Sequence, residues 1–221
     1  MDIIKKHRAY FSLYFPLLII VGYIVFAYSK GSIHLYFNEF HTPFFDYFFK
    51  YITYLGDGIP VVIISLLYLF FINTRQGLLL GLSAILSTTI TQIFKQIVFG
   101  STPRPLAYFN SINDEQILYL VDGVKMHVVN SLPSGHTTVA FAITISIAFI
   151  YSTRRMDYMM LILGALIGWS RVYLSQHFLQ DVFMGSIIGI LGAIVIYSIF
   201  YSPKMLENKK LDKSLLNLIR Q

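Results

Sequence analysis

The amino-acid sequence predicts an all-α fold: a bundle of six membrane-spanning helices with an outer interfacial helix and a small outer hairpin loop. Three observations lead there. Charged residues make up 13% of the 221, against about 25% in an ordinary soluble domain, while 56% are hydrophobic and the mean hydropathy is +0.64. Apolar stretches recur six times, at 11–28, 58–73, 76–98, 135–152, 158–174 and 178–201, each near the roughly 20 residues that carry a helix across a bilayer. The charges fall mostly between these stretches, as loop charges do in a bilayer protein. The formal charge of +6 therefore points to membrane loops, and nucleic acid is excluded as a partner.

The first stretch follows Lys5, Lys6 and Arg8 and runs uncharged from Phe11 to Tyr28. That exceeds the roughly 7–15 apolar residues of a cleaved leader, so a retained anchor is expected. Next, Thr42-Pro43 reads as an N-cap and first helical residue, and Gly56 as a stop. Between them lies an aromatic-rich helix in which Asp46 and Lys50 stand at i, i+4, a favourable pair. Its many Tyr and Phe side chains suit the headgroup level. After the third stretch, Asp122-Gly123 divides 117–121 from 124–129, a short-range hairpin signal. The tail from Lys204 spaces Leu206, Leu211, Leu215 and Leu218 near a helical period among lysines, which predicts a surface-lying helix. No repeat of 20–50 residues is present. A single domain over 1–221 is expected, with its signature core at 58–200 and a basic tail at 204–221.

Orientation follows from Lys and Arg. With the N-terminus cytoplasmic, that side holds Lys5, Lys6, Arg8, Arg75, Arg154, Arg155, Lys204, Lys209, Lys210, Lys213 and Arg220, eleven of 17. Both termini are then cytoplasmic. Cysteine is absent, so neither disulfides nor thiolate metal sites hold the fold, and the redox compartment stays open. No Asn-x-Ser/Thr sequon occurs, which favours a bacterial plasma membrane over a glycosylating compartment.

Polar residues concentrate where spans end. Lys95 and Arg104-Pro105 close the third span, Pro133-Ser134-Gly135-His136 opens the fourth, and Ser170-Arg171, His177 and Asp181 join the fifth to the sixth. Singly, each has a plain structural reading: a headgroup anchor, a helix cap, a snorkelling arginine beside a buried pair. In an up-and-down bundle, however, all of them share the outer face. His177 and Asp181 at i, i+4 lie on one helix face, and a carboxylate on one ring nitrogen leaves the other free to attack. Free N–H groups at Ser134-Gly135 form an anion site, and His136 faces it. Arg104 and Arg171 can each grip two phosphate oxygens, and Lys95 adds a point charge. Three cations, an amide nest and a nucleophile–acid pair suit phosphoryl transfer.

At these residues the sequence resembles the type 2 phosphatidic acid phosphatase superfamily of membrane lipid phosphatases. Ser170 to Asp181 matches its third signature in full, and Pro133-Ser134-Gly135-His136 its second. The first departs: eight residues separate Lys95 from Arg104-Pro105, where the family has six. The resemblance implies a six-span bundle and a metal-free reaction without cofactor on a lipid phosphate. His177 would be the nucleophile and form a phosphohistidine, Asp181 would orient it, and His136 would be the proton donor and later activate water. Lys95, Arg104, Ser134, Gly135 and Arg171 would hold the phosphate oxygens. No acidic cluster stands ready for Mg²⁺, since Asp114, Glu115 and Asp122 lie in the connecting loop. The extra length before Arg104 is expected to bulge within 100–103, so that Lys95 keeps its contact. Two other readings stay open, a vanadate haloperoxidase-like enzyme and a non-catalytic protein that binds or transports anionic lipid. Substrate identity, whether an undecaprenyl diphosphate, phosphatidylglycerol phosphate or phosphatidate, or a lipid A phosphate, is not encoded in any residue pattern. The segments 106–132 and 43–55 are candidate selectors by position alone.

Overall fold

The computed structural model describes residues 3–112 and 118–219. Asp114, Glu115, Ile117 and Arg220 lie outside them. Every described element is helical, and among the described residues there is no strand. The main helices are α1 (Arg8–Ala27), α2 (Lys30–Asn38), α3 (Pro43–Ile52), α4 (Gly58–Leu67), α5 (Thr74–Ile93), α6 (Pro105–Ser111), α7 (Gly135–Tyr151), α8 (Arg154–Tyr173) and α9 (Leu179–Phe200). A 3₁₀ turn, Thr53–Gly56, follows α3, and π-helical turns, Tyr68–Ile72 and Phe94–Val98, extend α4 and α5.

Helix occupies all six apolar stretches. Among the described residues, three helices are long and apolar enough to cross a membrane: Arg8–Ala27, Thr74–Val98 and Leu179–Phe200. A fourth arises if Pro43–Gly56 and Gly58–Ile72, bent by 53°, are one broken span. Of the remaining two, α7 has 17 residues, about 26 Å at 1.5 Å per residue, short of a hydrocarbon core of about 30 Å. The first turn of α8 carries Arg154, Arg155 and Asp157. Phe26 is 85% exposed and Ile97 77%, an outward apolar surface of the kind a lipid solvent requires. Together with the relatives described below, these helices identify an integral membrane protein.

Since lipid gives no hydrophobic drive between helices, close packing has to hold them together. Along α9, Gly185, Gly189 and Gly192 form a smooth seam. A Cβ on Gly185 would sit 2.7 Å from the Ser134 carbonyl oxygen, one on Gly189 would strike that of Thr138, and one on Gly192 would strike Ser87 Oγ. The backbones of α7 and α9 thus touch. Thr91 Oγ1 donates to Thr138 Oγ1 at 3.0 Å, joining α5 to the pair. Tyr10, Phe11 and Tyr14 of α1 pack against Phe141, Ile145 and Phe149 in the largest apolar cluster.

His7 and the tail from Pro203 lie at the end opposite the motif residues. His7 Nδ1 meets Asp157 Oδ1 at 2.8 Å, both side chains buried. Arg75, only 2% exposed, is not a loop charge. Its Nε donates to Asp212 Oδ1 at 2.8 Å, Nη1 to the carbonyls of Phe200 and Met205 at 2.6 and 2.8 Å, and Nη2 to that of Asn208 at 3.1 Å. Thr74 also donates to the Lys213 carbonyl through its N–H and Oγ1. These bonds explain why the tail is not one surface helix. It breaks into Pro203–Leu206, a 3₁₀ turn Lys209–Asp212 and Leu215–Ile219, because its carbonyls turn inward to Arg75.

Two further expectations need correction. Asp122-Gly123 does turn, with Gly123 at φ +72° and Val124 N–H on the Val121 carbonyl, but its flanks do not pair as strands. Their backbone groups go elsewhere: Tyr119 to Asn38, Val128 and Val129 to Arg104, Lys125 to Gln176. Asp46 and Lys50 also part company. Asp46 accepts from Tyr173 and Tyr119 and pairs with His41, while Lys50 Nζ donates to the Asp122 carbonyl at 2.6 Å. The caps of α3 are as expected: Thr42 Oγ1 accepts from Phe45 N–H, Pro43 is first, and the 3₁₀ turn ends on Gly56.

Candidate active site

The three motifs meet at one end of α5, α7, α8 and α9. The backbone between α8 and α9 is folded tightly on itself, with the Arg171 carbonyl accepting from both Gln176 and His177 N–H groups. Within it, Ser175 adopts φ +52°, unfavourable for a residue with a side chain. Its hydroxyl is held from α2 by Asn38 Nδ2 at 3.3 Å and His34 Nε2 at 3.1 Å. That turn sets His177, 1% exposed, against Asp181, 0% exposed. Nδ1 of His177 lies 3.3 Å from Asp181 Oδ2, leaving Nε2 as the nitrogen turned from the carboxylate. The same Oδ2 accepts from Phe178 N–H at 3.0 Å and from Ser131 Oγ.

The cations surround this ring. Burial, first, and then the charges of Arg104, Arg171 and Lys95 hold the His177 imidazole well below its usual pKa. It is therefore neutral, the state a nucleophile needs. Arg104 opens α6, and its Nε donates to the Val129 carbonyl at 2.9 Å and Nη1 to that of Gln176 at 3.2 Å. Burial lowers its pKa also, opposed by Asp181, without bringing an arginine near neutrality. Arg171 Nη1 donates to Thr53 Oγ1 at 2.8 Å and Nη2 reaches Gln176 Oε1 at 3.4 Å. Its Nε is buried with no hydrogen-bond partner among the described residues. Lys95, 8% exposed, sits in the terminal π-turn of α5 and makes no hydrogen bond among the described residues. Two buried cations thus hold unused donor capacity beside a neutral histidine.

Ser134 and Gly135 divide their work. Ser134 is fully buried, and its Oγ caps α7 by accepting from Thr137 N–H at 3.4 Å and Thr137 Oγ1 at 2.9 Å. Its N–H is taken by the Asp181 carbonyl at 3.0 Å. A Cβ on Gly135, by contrast, would meet nothing within 4 Å, so the helix start opens on free space there. His136 and Arg171 face a polar cavity of about 280 Å³, with Asp57, Lys125, His127 and Gln176 also on its wall. His177, Asp181, Lys95 and Arg104 do not line that cavity.

Sequence reasoning did not find four contributors. Asp57 Oδ1 lies 2.6 Å from His136 Nε2. Ser131 holds Asp181, Thr53 holds Arg171, and Gln176 links Arg104 with Arg171. Gln176, beside His177, was within reach of inspection. Asp57 and Thr53 carry no local signal, since only packing joins them to their partners.

Comparison with known proteins agrees with the motifs. The lipid A 4'-phosphatase of Bacteroides thetaiotaomicron is 28% identical over 170 residues, 75% of this chain and 74% of that protein. Undecaprenyl-diphosphatase BcrC of Bacillus subtilis is 28% identical over 185 residues, 82% of this chain and 83% of its own length. The crystal structure of Aquifex aeolicus LpxE superposes with a TM-score of 0.62 at 28% identity, covering 76% of this chain and 93% of that one. A family model described as the PAP2 superfamily matches residues 76–204, which takes in every motif residue from Lys95 to Asp181 and more than half of the length. The chain belongs to the PAP2 superfamily.

Proposed function

We propose that this enzyme removes phosphate from a membrane lipid through a phosphohistidine on His177. The observation that carries the reading is the buried His177–Asp181 pair, 3.3 Å apart, with Arg104, Arg171 and Lys95 around it. Nε2 of His177 attacks phosphorus as the bond to the lipid oxygen breaks. Asp181 holds the ring and offsets the charge that develops on it. His136 gives the leaving oxygen its proton, then takes one from the water that releases phosphate. Lys95, Arg104, Arg171 and the Gly135 amide stabilise the charge of the transition state, with Ser134 shaping the helix start. The reaction draws on these residues alone, with no metal or other cofactor.

A lipid substrate is supported by an apolar groove of about 670 Å³ between α4 and α5, lined by Val61, Leu66, Ala84, Ile85 and Gln96. Gln96 on its wall is the sequence neighbour of Lys95. The names of the relatives point to diphosphate or monoester lipids of the undecaprenyl or lipid A type, and phosphatidate and phosphatidylglycerol phosphate fit the same chemistry. All six apolar helices cross a bacterial inner membrane in this reading, with both termini cytoplasmic and the site outside. On the outer side α3 lies in the interface, where the exposed Phe44, Tyr47 and Tyr51 meet headgroups.

The test is inorganic phosphate release by purified protein in detergent, across undecaprenyl diphosphate, phosphatidate, phosphatidylglycerol phosphate and lipid A. Turnover of at least one lipid is expected, persisting in EDTA and abolished by His177→Ala. His136→Ala should retain a slowly resolving, acid-labile phosphoenzyme. Binding without release would return the protein to a non-catalytic role, and activity lost in EDTA and restored by Mg²⁺ would overturn the metal-free mechanism.

A further inference from the structure

Asp57 occupies the N-cap position of α4, where an aspartate ordinarily accepts from the N–H groups of its own helix. Here it accepts none of them. Its Oδ1 is directed instead to His136 Nε2, 2.6 Å away on α7. The preceding residue makes this approach possible. A Cβ on Gly56 would stand 2.8 Å from Ile167 Cγ2 and 3.1 Å from the His136 carbonyl oxygen, so a side chain there would push the turn off α7. The same turn carries Thr53, whose Oγ1 takes Nη1 of Arg171 at 2.8 Å. One five-residue segment, at the 53° bend between α3 and α4, thus grips two site residues on two other helices.

The electrostatic setting gives the contact a purpose. Arg171, Lys50, Lys125 and His127 stand around the cavity that His136 faces. An imidazolium formed there to donate a proton needs an anion beside it. Asp57 is the one acid among the described residues of the cavity wall. Asp181, the other nearby carboxylate, is committed to His177, Ser131 and the start of α9.

We infer that Asp57 is a positioning residue for His136, and that it rests on the phosphotransfer reading above. It fixes the ring through Nε2, leaves Nδ1 for the reaction, and stabilises the protonated ring. The proton on His136 passes to the lipid oxygen as the oxygen–phosphorus bond breaks and the His177–phosphorus bond forms. In the second half, the water oxygen bonds to phosphorus and its proton returns to His136 as the His177–phosphorus bond breaks. Asp57 keeps its own charge throughout. It lies outside the stretch matched by the family model, residues 76–204.

The experiment uses the full chain in detergent and two substrates, phosphatidate and p-nitrophenyl phosphate. The alkoxide of the first needs a proton to leave, and the nitrophenolate of the second does not. Asp57→Asn keeps shape and capping ability. It should lower kcat/KM for phosphatidate on the order of 10²-fold, the low end of general acid catalysis, and much less for p-nitrophenyl phosphate. The alkaline limb of the phosphatidate profile should move to lower pH, and Asp57→Glu should recover part of the loss. An equal loss on both substrates, or no loss with an unmoved alkaline limb, overturns the inference. Phosphate release that survives His177→Ala would sink the phosphohistidine reading instead, and so separates the two failures.

Discussion

Lys95 tests how far a departure in spacing disturbs a site. Its ammonium reaches the neighbourhood of His177 from a π-helical turn, and that widened turn is a local adjustment the sequence did not foretell. The residues after it also bend, with Gly100 at φ +57° and Ser131 N–H on the Thr102 carbonyl. Lys95→Ala should lower kcat/KM by a factor equivalent to about 2–4 kcal/mol, as for other electrostatic stabilisers of a transition state. A second signature follows from charge. Lys95 is one of three cations that keep His177 neutral by lowering its pKa. The nucleophile therefore stays active as pH falls through the ordinary histidine range near 6.5. Removing Lys95 relaxes that depression, so the acid limb of kcat/KM should move to higher pH than in the unaltered protein. Near-wild-type activity in Lys95→Ala beside dead Arg104→Ala and Arg171→Ala would leave Lys95 an anchor only.

At the level of helices, the glycine seam of α9 sets the distance between the two histidines. Gly189→Ala would place a methyl group against the Thr138 carbonyl and 2.9 Å from Ala142 N. Overpacking of this kind typically costs about 1–3 kcal/mol. It would also part α7, which carries His136, from α9, which carries Asp181. A lowered melting temperature together with reduced kcat is expected, whereas Gly22→Ala, whose Cβ would make an ordinary 3.4 Å contact with Phe183, should change neither. Unaltered stability in Gly189→Ala would mean that the two helices can separate freely. The helices themselves were legible because apolar runs near 20 residues are strong local signals. The three motifs were legible for a related reason, since each lies on a helix end or spans i, i+4. What stayed hidden is joined only by tertiary contact: Asp57 to His136, Thr53 to Arg171, Asn38 to Ser175. The hairpin failed for the converse reason. Its turn chemistry was local and held, but its strands lost their partners to Arg104, Asn38 and Gln176.

For the molecule as a whole, the open question is which way it faces. His7 and the tail share one end and the site the other, so a single labelling experiment orients everything. The chain has no cysteine, which gives a clean background. In intact cells Asp122→Cys should react with an impermeant maleimide and Lys209→Cys should not. The reverse pattern would turn the site to the cytoplasm and exclude every substrate presented only on the outer leaflet. Charge bias had pointed the same way, yet it included Arg75, which is buried and spoken for. With the buried Lys95 and Arg171 also set aside, ten cytoplasmic Lys and Arg stand against four opposite in that reading, so the bias survives the correction.

The coordination of Arg75 also sets a schedule for biogenesis. The guanidinium enters the membrane with α5, but its acceptors are encoded 125 to 137 residues later. At the roughly 5–20 residues per second of translation, it waits on the order of ten seconds without them. Phe200 closes α9, and Met205, Asn208 and Asp212 are made only after it. A chain cut short before them is left with an unanswered charge at the foot of its third apolar helix.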